Sequence, residues 1–142
     1  MKESQKARFS ALVEAHGLVA DDFFKAPHGF VIITRTGIEK IQRGLGATVQ
    51  YEVVPEFSDP SSGMYVIKAQ AYMPIQTVNE KTGKIENEMR VVETYGEASP
   101  KNCRNSYPVA MAEKRGLSRA ILKLADLYEL GVYGEDEIED TK

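Results

Sequence analysis

The sequence has a single cysteine, two histidines and no tryptophan among its 142 residues. Cys103 cannot form an internal disulfide bond, and His16 and His28 have no neighbours at the spacing of zinc ligands. Long apolar runs are missing too: none approaches the roughly 18 residues that cross a bilayer, and residues 1–20 lack a signal-peptide core. We therefore expect a soluble, cytoplasmic protein that has no disulfide bond, metal ion or cofactor and does not enter a membrane.

The composition is that of one ordinary globular domain, with 42% hydrophobic and 27% charged residues. The net charge of −3 is unevenly placed: residues 135–142 hold five acids and one lysine, which leaves +1 for residues 1–134. Residues 101–123 hold six basic residues and one acid, a local excess of +5. We expect one domain over residues 1–134 and a disordered acidic tail over 135–142, and an anionic ligand would respond to the local excess.

The longest helical pattern covers residues 107–128 and has two distinct faces. Arg115, Arg119 and Lys123 follow at i, i+4 and i+8, so they share one face and repel one another. This row indicates either an anionic partner or a plain solvated face whose long stems cover apolar surface. An apolar stripe, expected to be buried, consists of Val109, Ala110, Leu117, Ala120, Ile121, Leu124 and Tyr128.

Periodicity and turn residues predict the remaining elements. Helices are expected over 6–16, after Ser4 as N-cap, and over 37–45, after Thr36 as N-cap. Strands are expected over 30–34, 47–54, 64–78 and 85–98, the last two forming a long hairpin. This order predicts an α+β fold: an antiparallel β-meander (a β-β-β-α core) packed against one long C-terminal helix, with N-terminal helical elements. One sheet face is then left open for a partner or another subunit.

Several catalytic interpretations fail on the residue types. The Thr-Gly-Lys sequence at 82–84 lacks the second glycine and the Ser or Thr of a phosphate loop. Cys103 would need His16 or His28 beside it to act as a nucleophile, and an ordinary loop thiol is favoured. Four carboxylates on one strand are more typical of a solvated face than of a metal site: Glu86, Glu88, Glu93 and Glu97. Nothing in the sequence supports catalysis, so we do not expect an enzyme.

A basic surface with an interleaved aromatic ring is the remaining candidate for a site. Tyr72 shares its strand face with Lys68 and Gln70 rather than with the aliphatic row, so we expect it to be exposed. Cations that hold phosphates and rings that stack on bases are how single strands are bound without sequence preference. The candidate DNA-binding residues are Arg115, Arg119, Lys123, Lys68, Arg90, Tyr72, Lys114 and Arg104.

Three short motifs carry a family resemblance: ETYGE at 93–97, EKR at 113–115 and LSRAI at 117–121. With the order of elements, they resemble the Rad-fifty-two single-strand annealing superfamily, including its phage recombinase members. The resemblance implies a non-enzymatic protein that assembles into rings or filaments and holds single-stranded DNA in a groove lined by helix and hairpin cations. Arg119 matches the family's helix arginine; Ser118 stands where a lysine is usual, and Ala125-Asp126 where a glycine is usual.

The leading hypothesis is therefore an oligomeric protein, encoded by a phage or mobile element, that binds single-stranded DNA and anneals complementary strands during homologous recombination. The acidic tail would recruit a replication or recombination partner, compete with DNA for the basic face, or only aid solubility. The alternative is a small phage-type structural or interaction module, an assembly or inhibitor protein, whose basic helix face binds an acidic protein.

Overall fold

The computed structural model describes residues 2–27, 29–103 and 106–138, with the side chain of residue 138 left out. Its central element is a helix of 17 residues, α3 (Pro108–Leu124), which packs against two separate β-sheets. The other helices are α1 (Glu3–His16), α2 (Arg35–Leu45) and α4 (Glu135–Ile138). The strands are β1 (Phe23–Lys25), β2 (Val31–Ile33), β3 (Thr48–Val53), β4 (Tyr65–Val78), β5 (Ile85–Ala98) and β6 (Val132–Gly134).

The larger sheet is an antiparallel meander of β3, β4 and β5 in that order. Its hairpin pairs all 14 residues of β4 with β5, from Tyr65 opposite Ala98 to Val78 opposite Ile85. Strand β3 pairs only as far as Thr48 opposite Tyr72, so the end of the hairpin extends as a two-stranded arm. The predicted α+β fold, with a meander and a long helix near the C-terminus, is confirmed.

Helix α3 approaches the meander at a pair of glycines. A methyl group on Gly96 of β5 would overlap the carbonyl oxygen of Ala112, and one on Gly116 would lie 3.2 Å from the β-carbon of Ala69. The buried Thr94 hydroxyl donates a 2.7 Å hydrogen bond to the Gly116 carbonyl oxygen. Small residues on both elements therefore let the helix backbone lie directly on the strands, which fixes where its other side chains emerge.

The second sheet was not predicted. Strand β2 pairs antiparallel with β1 and parallel with β6. Residues 132–134 therefore lie beside residues 31–33. The expected strand at 30–34 is present as β2, whereas β1, in the segment before it, was not expected. Each strand has three residues, too few for an alternating pattern to be recognised in the sequence.

The two helices predicted before the meander differ from the structure at their first turns, and the pattern predicted over 107–128 ends early, because α3 stops at Leu124. Thr34, not Thr36, caps α2 by accepting a 3.2 Å hydrogen bond from the Gly37 amide, and α1 begins at Glu3 rather than beyond Ser4. Both helices end as expected, at glycines with positive φ, Gly17 (66°) and Gly46 (65°).

The apolar stripe predicted for the long helix is wrong in its first turn. Val109 is 42% exposed and Ala110 is also exposed, because the start of α3 extends beyond the meander's core. Farther along, α3 is covered on more than one side, so small and polar residues are buried with the apolar ones. The buried residues of α3 are Met111, Ala112, Arg115, Gly116, Ser118, Ala120, Ile121, Leu122 and Leu124.

The expectation of a disordered tail from residue 135 is also wrong for its first four residues. They form α4, in which the Asp136 side chain is only 1% exposed. Glu135 Oε1 accepts a 2.8 Å hydrogen bond from the Arg35 amide at the start of α2. A run of acidic residues favours disorder when it is considered alone. Here the carboxylates are bound by donors from distant parts of the chain, and these contacts order the segment. Residues 139–142 lie outside the described part.

Candidate nucleic-acid interface

Arg115, expected on the exposed cationic row, is buried instead, with 4% of its surface exposed. Its Nη1 donates to the Glu97 carbonyl oxygen at 2.7 Å, and its Nη2 to the Asn102 carbonyl oxygen at 2.6 Å. Its Nε donates to the Asp136 carbonyl oxygen at 3.1 Å. Arg115 thus joins the edge of β5, the loop before α3 and the acidic segment 135–137. A guanidinium held in this way stabilises the fold and does not present itself to a phosphate.

Arg119, one turn later, lies at the surface with 27% of its side chain exposed, yet two carboxylates contact it. Its Nη1 and Nη2 donate to the two Glu97 oxygens at 2.9 and 3.0 Å, a bidentate pair. Its Nε donates to Glu137 Oε1 at 3.3 Å, and Nη1 also reaches the Tyr95 carbonyl oxygen at 2.6 Å. The hydrogen bonds from Arg119 hold the pKa of Glu97 below its usual range.

Ser118 and Tyr128 complete the contacts with the acidic segment. Ser118 Oγ donates to Asp136 Oδ2 at 3.1 Å, and the Tyr128 hydroxyl donates to Glu137 Oε1 at 2.8 Å. Burial, with a further contribution from Glu137, raises the pKa of Tyr128. We call the donor set formed by Ser118, Arg119 and Tyr128 the anion cradle. The anion cradle binds the carboxylates of Asp136 and Glu137. Its three donors are therefore suited to binding anionic oxygen atoms.

Arg90 was predicted to contact DNA but caps the end of α3. Its Nη1 donates to the Leu124 carbonyl oxygen and its Nη2 to Asp126 Oδ1, each at 3.2 Å. A cation at the carboxyl end of a helix is favoured by the helix dipole. Asp126 has φ = 55° and is the one residue other than glycine with positive φ in the described ranges. It occupies the left-handed conformation that a glycine would adopt most easily.

Lys68 and Tyr72 lie on the meander face away from α3, as the alternation predicts. Lys68 Nζ is 3.4 Å from Glu52 Oε2, and the charge of Glu52 raises the pKa of Lys68. Tyr72 is half-buried rather than fully exposed, and its hydroxyl lies 3.4 Å from Gln70 Oε1. With one lysine against two acids, Glu52 and Glu93 across the strands, this central part of the open face is not basic.

The two lysines of α3 differ in exposure. Lys123 is exposed and Lys114 is half-buried. Arg104, the last predicted DNA contact, lies outside the described residues. Of the expected row of three cations, only Lys123 is therefore presented to solvent as predicted.

The arm of the hairpin carries exposed apolar side chains on the same face as Tyr72. The register places Val91 opposite Tyr72, and Val78 opposite Ile85 near the tip. Exposed fractions are 64% for Val78, 66% for Ile85, 56% for Met89 and 48% for Val91. A row of exposed apolar residues on a projecting ribbon is typical of a contact surface.

The sequence did not reveal the acidic partners of the helix arginines. Glu97 was assigned to the solvated side of β5, and Glu137 to a disordered tail. These two residues are separated from Arg119 by 22 and 18 positions, so helical spacing gives no signal of either contact. Three acids, Glu97, Asp136 and Glu137, surround the two cations Arg115 and Arg119. The net charge of this group is −1. The +5 of residues 101–123 is therefore partly neutralised in three dimensions.

Comparison with family models, curated proteins and solved structures finds no match for this chain. In the described ranges, 2–27, 29–103 and 106–138, there is no group of three or more potential metal ligands among His, Cys, Asp and Glu. Within the same ranges, each helix is too short or too polar to span a bilayer. The site's own geometry therefore supplies the functional argument.

Proposed function

We propose that this protein binds single-stranded DNA and anneals complementary strands in homologous recombination, working as a cytoplasmic homo-oligomer without catalytic chemistry. The single observation that carries the proposal is the close packing of α3 on a three-stranded meander at Gly96. That residue belongs to the strand motif at 93–97, and α3 carries the motifs at 113–115 and 117–121. Beside this contact, Arg115 and Arg119 of the helix motifs donate to the carbonyl oxygens of Glu97 and Tyr95 in the strand motif.

The phosphate contacts that we propose on α3 are Arg119 and Lys123, one turn apart on one side of the helix, and Lys114 as a separate contact on the other side. Lys123 is exposed, Lys114 is half-buried, and Arg119 keeps 27% of its side chain at the surface. Arg115 and Arg90 are not part of this set, because both are bound to backbone carbonyls. Lys68 on the open face is a secondary contact, and Tyr72 is a stacking ring at the edge of that face.

Self-association is supported by the hairpin arm. Its apolar face, with Val78, Ile85, Met89 and Val91 exposed, is where we place a contact between copies of this chain. Many copies side by side would contact phosphates of the same DNA strand. The oligomer would then bind DNA tightly through avidity, although each subunit contributes only a few weak contacts. Sedimentation of the protein alone tests this directly: assemblies of many subunits are expected, and a monomer at all concentrations would contradict it.

Titration of a fluorescently labelled oligothymidylate at several salt concentrations tests DNA binding. Three phosphates neutralised per subunit predict a log–log salt slope of about −2 per subunit. Lys123→Ala should weaken binding and make the slope shallower by about 0.7. The matched control is Lys25→Ala, which removes one exposed lysine from β1 on the smaller sheet.

Annealing is measured separately, as the rate at which two labelled complementary oligonucleotides pair. Wild-type protein should accelerate pairing, and Lys123→Ala should do so less. Absence of binding at low salt would contradict the proposal. Equal loss for Lys123→Ala and Lys25→Ala would contradict the placement of the site on α3.

One observation favours a second candidate, an interaction module for an acidic protein. Arg119 already holds two carboxylates, Glu97 and Glu137, with a bidentate geometry suited to an acidic peptide. A polyglutamate peptide added to the same titration separates the candidates. Binding of the peptide without binding of the oligonucleotide would favour this second function.

A further inference from the structure

The anion cradle is filled by the chain itself. Glu137 Oε1 accepts hydrogen bonds from Arg119 Nε at 3.3 Å and from the Tyr128 hydroxyl at 2.8 Å. Only 17% of the Glu137 side chain is exposed. A carboxylate held by a guanidinium and a hydroxyl occupies the position that a phosphate oxygen would take from the same donors. Glu137 therefore blocks one of the proposed phosphate contacts.

The neighbouring carboxylate is held incompletely. Asp136 is buried, and its Oδ2 accepts from Ser118 Oγ at 3.1 Å. Its Oδ1 is buried as well but has no hydrogen-bond partner in the described part of the chain. A buried oxygen without a partner costs free energy relative to water, so the acidic segment is bound less tightly than its contacts suggest.

The position of this segment also favours exchange. It follows β6, a three-residue strand that pairs with one neighbour, β2. Elements that are attached by few ladder hydrogen bonds open at low free-energy cost. Release of segment 135–137 would leave α3 seated on the meander through Gly96 and Gly116.

Resting on the proposed function, we infer that the anion cradle is a regulated phosphate site. It holds Glu137 in the DNA-free protein and exchanges it for a backbone phosphate when a single strand binds. The acidic segment 135–137 thus acts as an intramolecular competitor. It raises the selectivity of α3 for long strands, because isolated anions must displace a carboxylate that is tethered to the same chain.

Glu137→Gln tests the exchange, since glutamine keeps the size and a hydrogen-bond acceptor but removes the charge. Oligothymidylate affinity should rise about three- to tenfold, because the phosphate no longer has to displace a charged carboxylate from Arg119 Nε and Tyr128. The matched control is Glu39→Gln, which removes one exposed acid from α2. It should change the affinity by less than about twofold.

Two further measurements test whether the gain in affinity comes from the anion cradle itself. Combining Glu137→Gln with Arg119→Ala should abolish the gain in affinity, since the cradle then lacks its cation. Amide hydrogen exchange of residues 135–138 in wild-type protein should become faster when the oligonucleotide is added.

The outcomes separate this inference from the proposed function. Wild-type protein that binds the oligonucleotide while Glu137→Gln binds with the same affinity would overturn the exchange alone. Absence of binding by wild type and by Glu137→Gln would overturn both. A gain of equal size for Glu39→Gln would show a general charge effect and would also overturn the exchange.

Discussion

Gly96 of β5 lies directly against the Ala112 carbonyl oxygen of α3, with no space for a side chain between strand and helix. Two residues earlier, on the same face of β5, Thr94 donates its hydroxyl to the Gly116 carbonyl oxygen at 2.7 Å. The helix is thus held to the sheet by backbone contact and one buried hydrogen bond. The side chains that emerge on either side of this contact form the candidate site.

Gly96→Ala is expected to lower the free energy of unfolding by about 3 kcal/mol, because the methyl group must push the helix away from the strand. Urea denaturation followed by circular dichroism measures the change. The control, Gln76→Ala on the exposed arm of the same hairpin, should change the free energy by less than about 0.5 kcal/mol. Equal stability of Gly96→Ala and wild type would mean that α3 does not approach β5 this closely.

Asp126 provides a test of the left-handed turn after α3. Asp126→Ala should be about 1 kcal/mol less stable than Asp126→Gly, because alanine at φ = 55° is strained and glycine is not. Both variants lose the contact with Arg90, so their difference isolates the backbone conformation. Thermal denaturation of the two proteins checks this. If alanine proves as stable as glycine, residue 126 does not adopt positive φ in solution.

Ser118→Lys introduces the residue that is usual in the family that this chain resembles. Ser118 is 1% exposed, and a methyl group on Gly134 would lie 3.2 Å from its β-carbon. Lysine does not fit beneath β6, so we expect a loss of about 2 kcal/mol in unfolding free energy. Residues 132–138 should also become more sensitive to proteolysis.

The control for that substitution is Ser10→Lys at an exposed position of α1, which adds the same charge. It should leave both stability and proteolysis unchanged. A stable Ser118→Lys protein with a resistant C-terminal segment would contradict the packing of β6 and α4 over this position.

Asp22 gives a prediction for pH. Lys40 Nζ lies 2.6 Å from Asp22 Oδ2, and this hydrogen bond, with one from the Val19 amide, lowers the pKa of the buried Asp22. Because the folded-state pKa lies below the unfolded value of about 3.9, the stabilisation is present above that value and is lost as the pH falls through the folded-state pKa.

Wild type should therefore be more stable than Asp22→Asn at neutral pH, and the difference should vanish in strong acid. Urea denaturation of the two proteins at both pH values measures this. Asp21→Asn, at the exposed neighbouring position, is the matched control and should follow wild type throughout. A difference between wild type and Asp22→Asn that persists in acid would indicate a packing effect instead of the ion pair.

Much of the meander was predictable because its signal is local. Strands β4 and β5 have 14 residues each, long enough for alternate positions to separate apolar from polar residues. Their predicted bounds, 64–78 and 85–98, differ from the observed ones by one residue at most. The helix ends at Gly17 and Gly46 were predictable for a similar reason, since a glycine with positive φ ends a helix by its own conformational preference.

The smaller sheet was not predictable in the same way. Its strands have three residues each, and β6 joins β2 from about 100 positions away, Val132 opposite Val31. Nothing in either segment indicates the other, because the pairing depends on backbone hydrogen bonds that any sequence makes.

The sequence by itself determined the order of the long elements and the excess of positive charge in residues 101–123, since both depend on neighbours along the chain. Only the tertiary structure decided which cations are available. Arg115 is buried on backbone carbonyls, Arg119 is held by Glu97 and Glu137, and Lys123 stays exposed. The physical reason is that charge pairing and burial depend on distance in space, and the partners of these arginines are brought to them only when β5 and the C-terminal segment fold against α3.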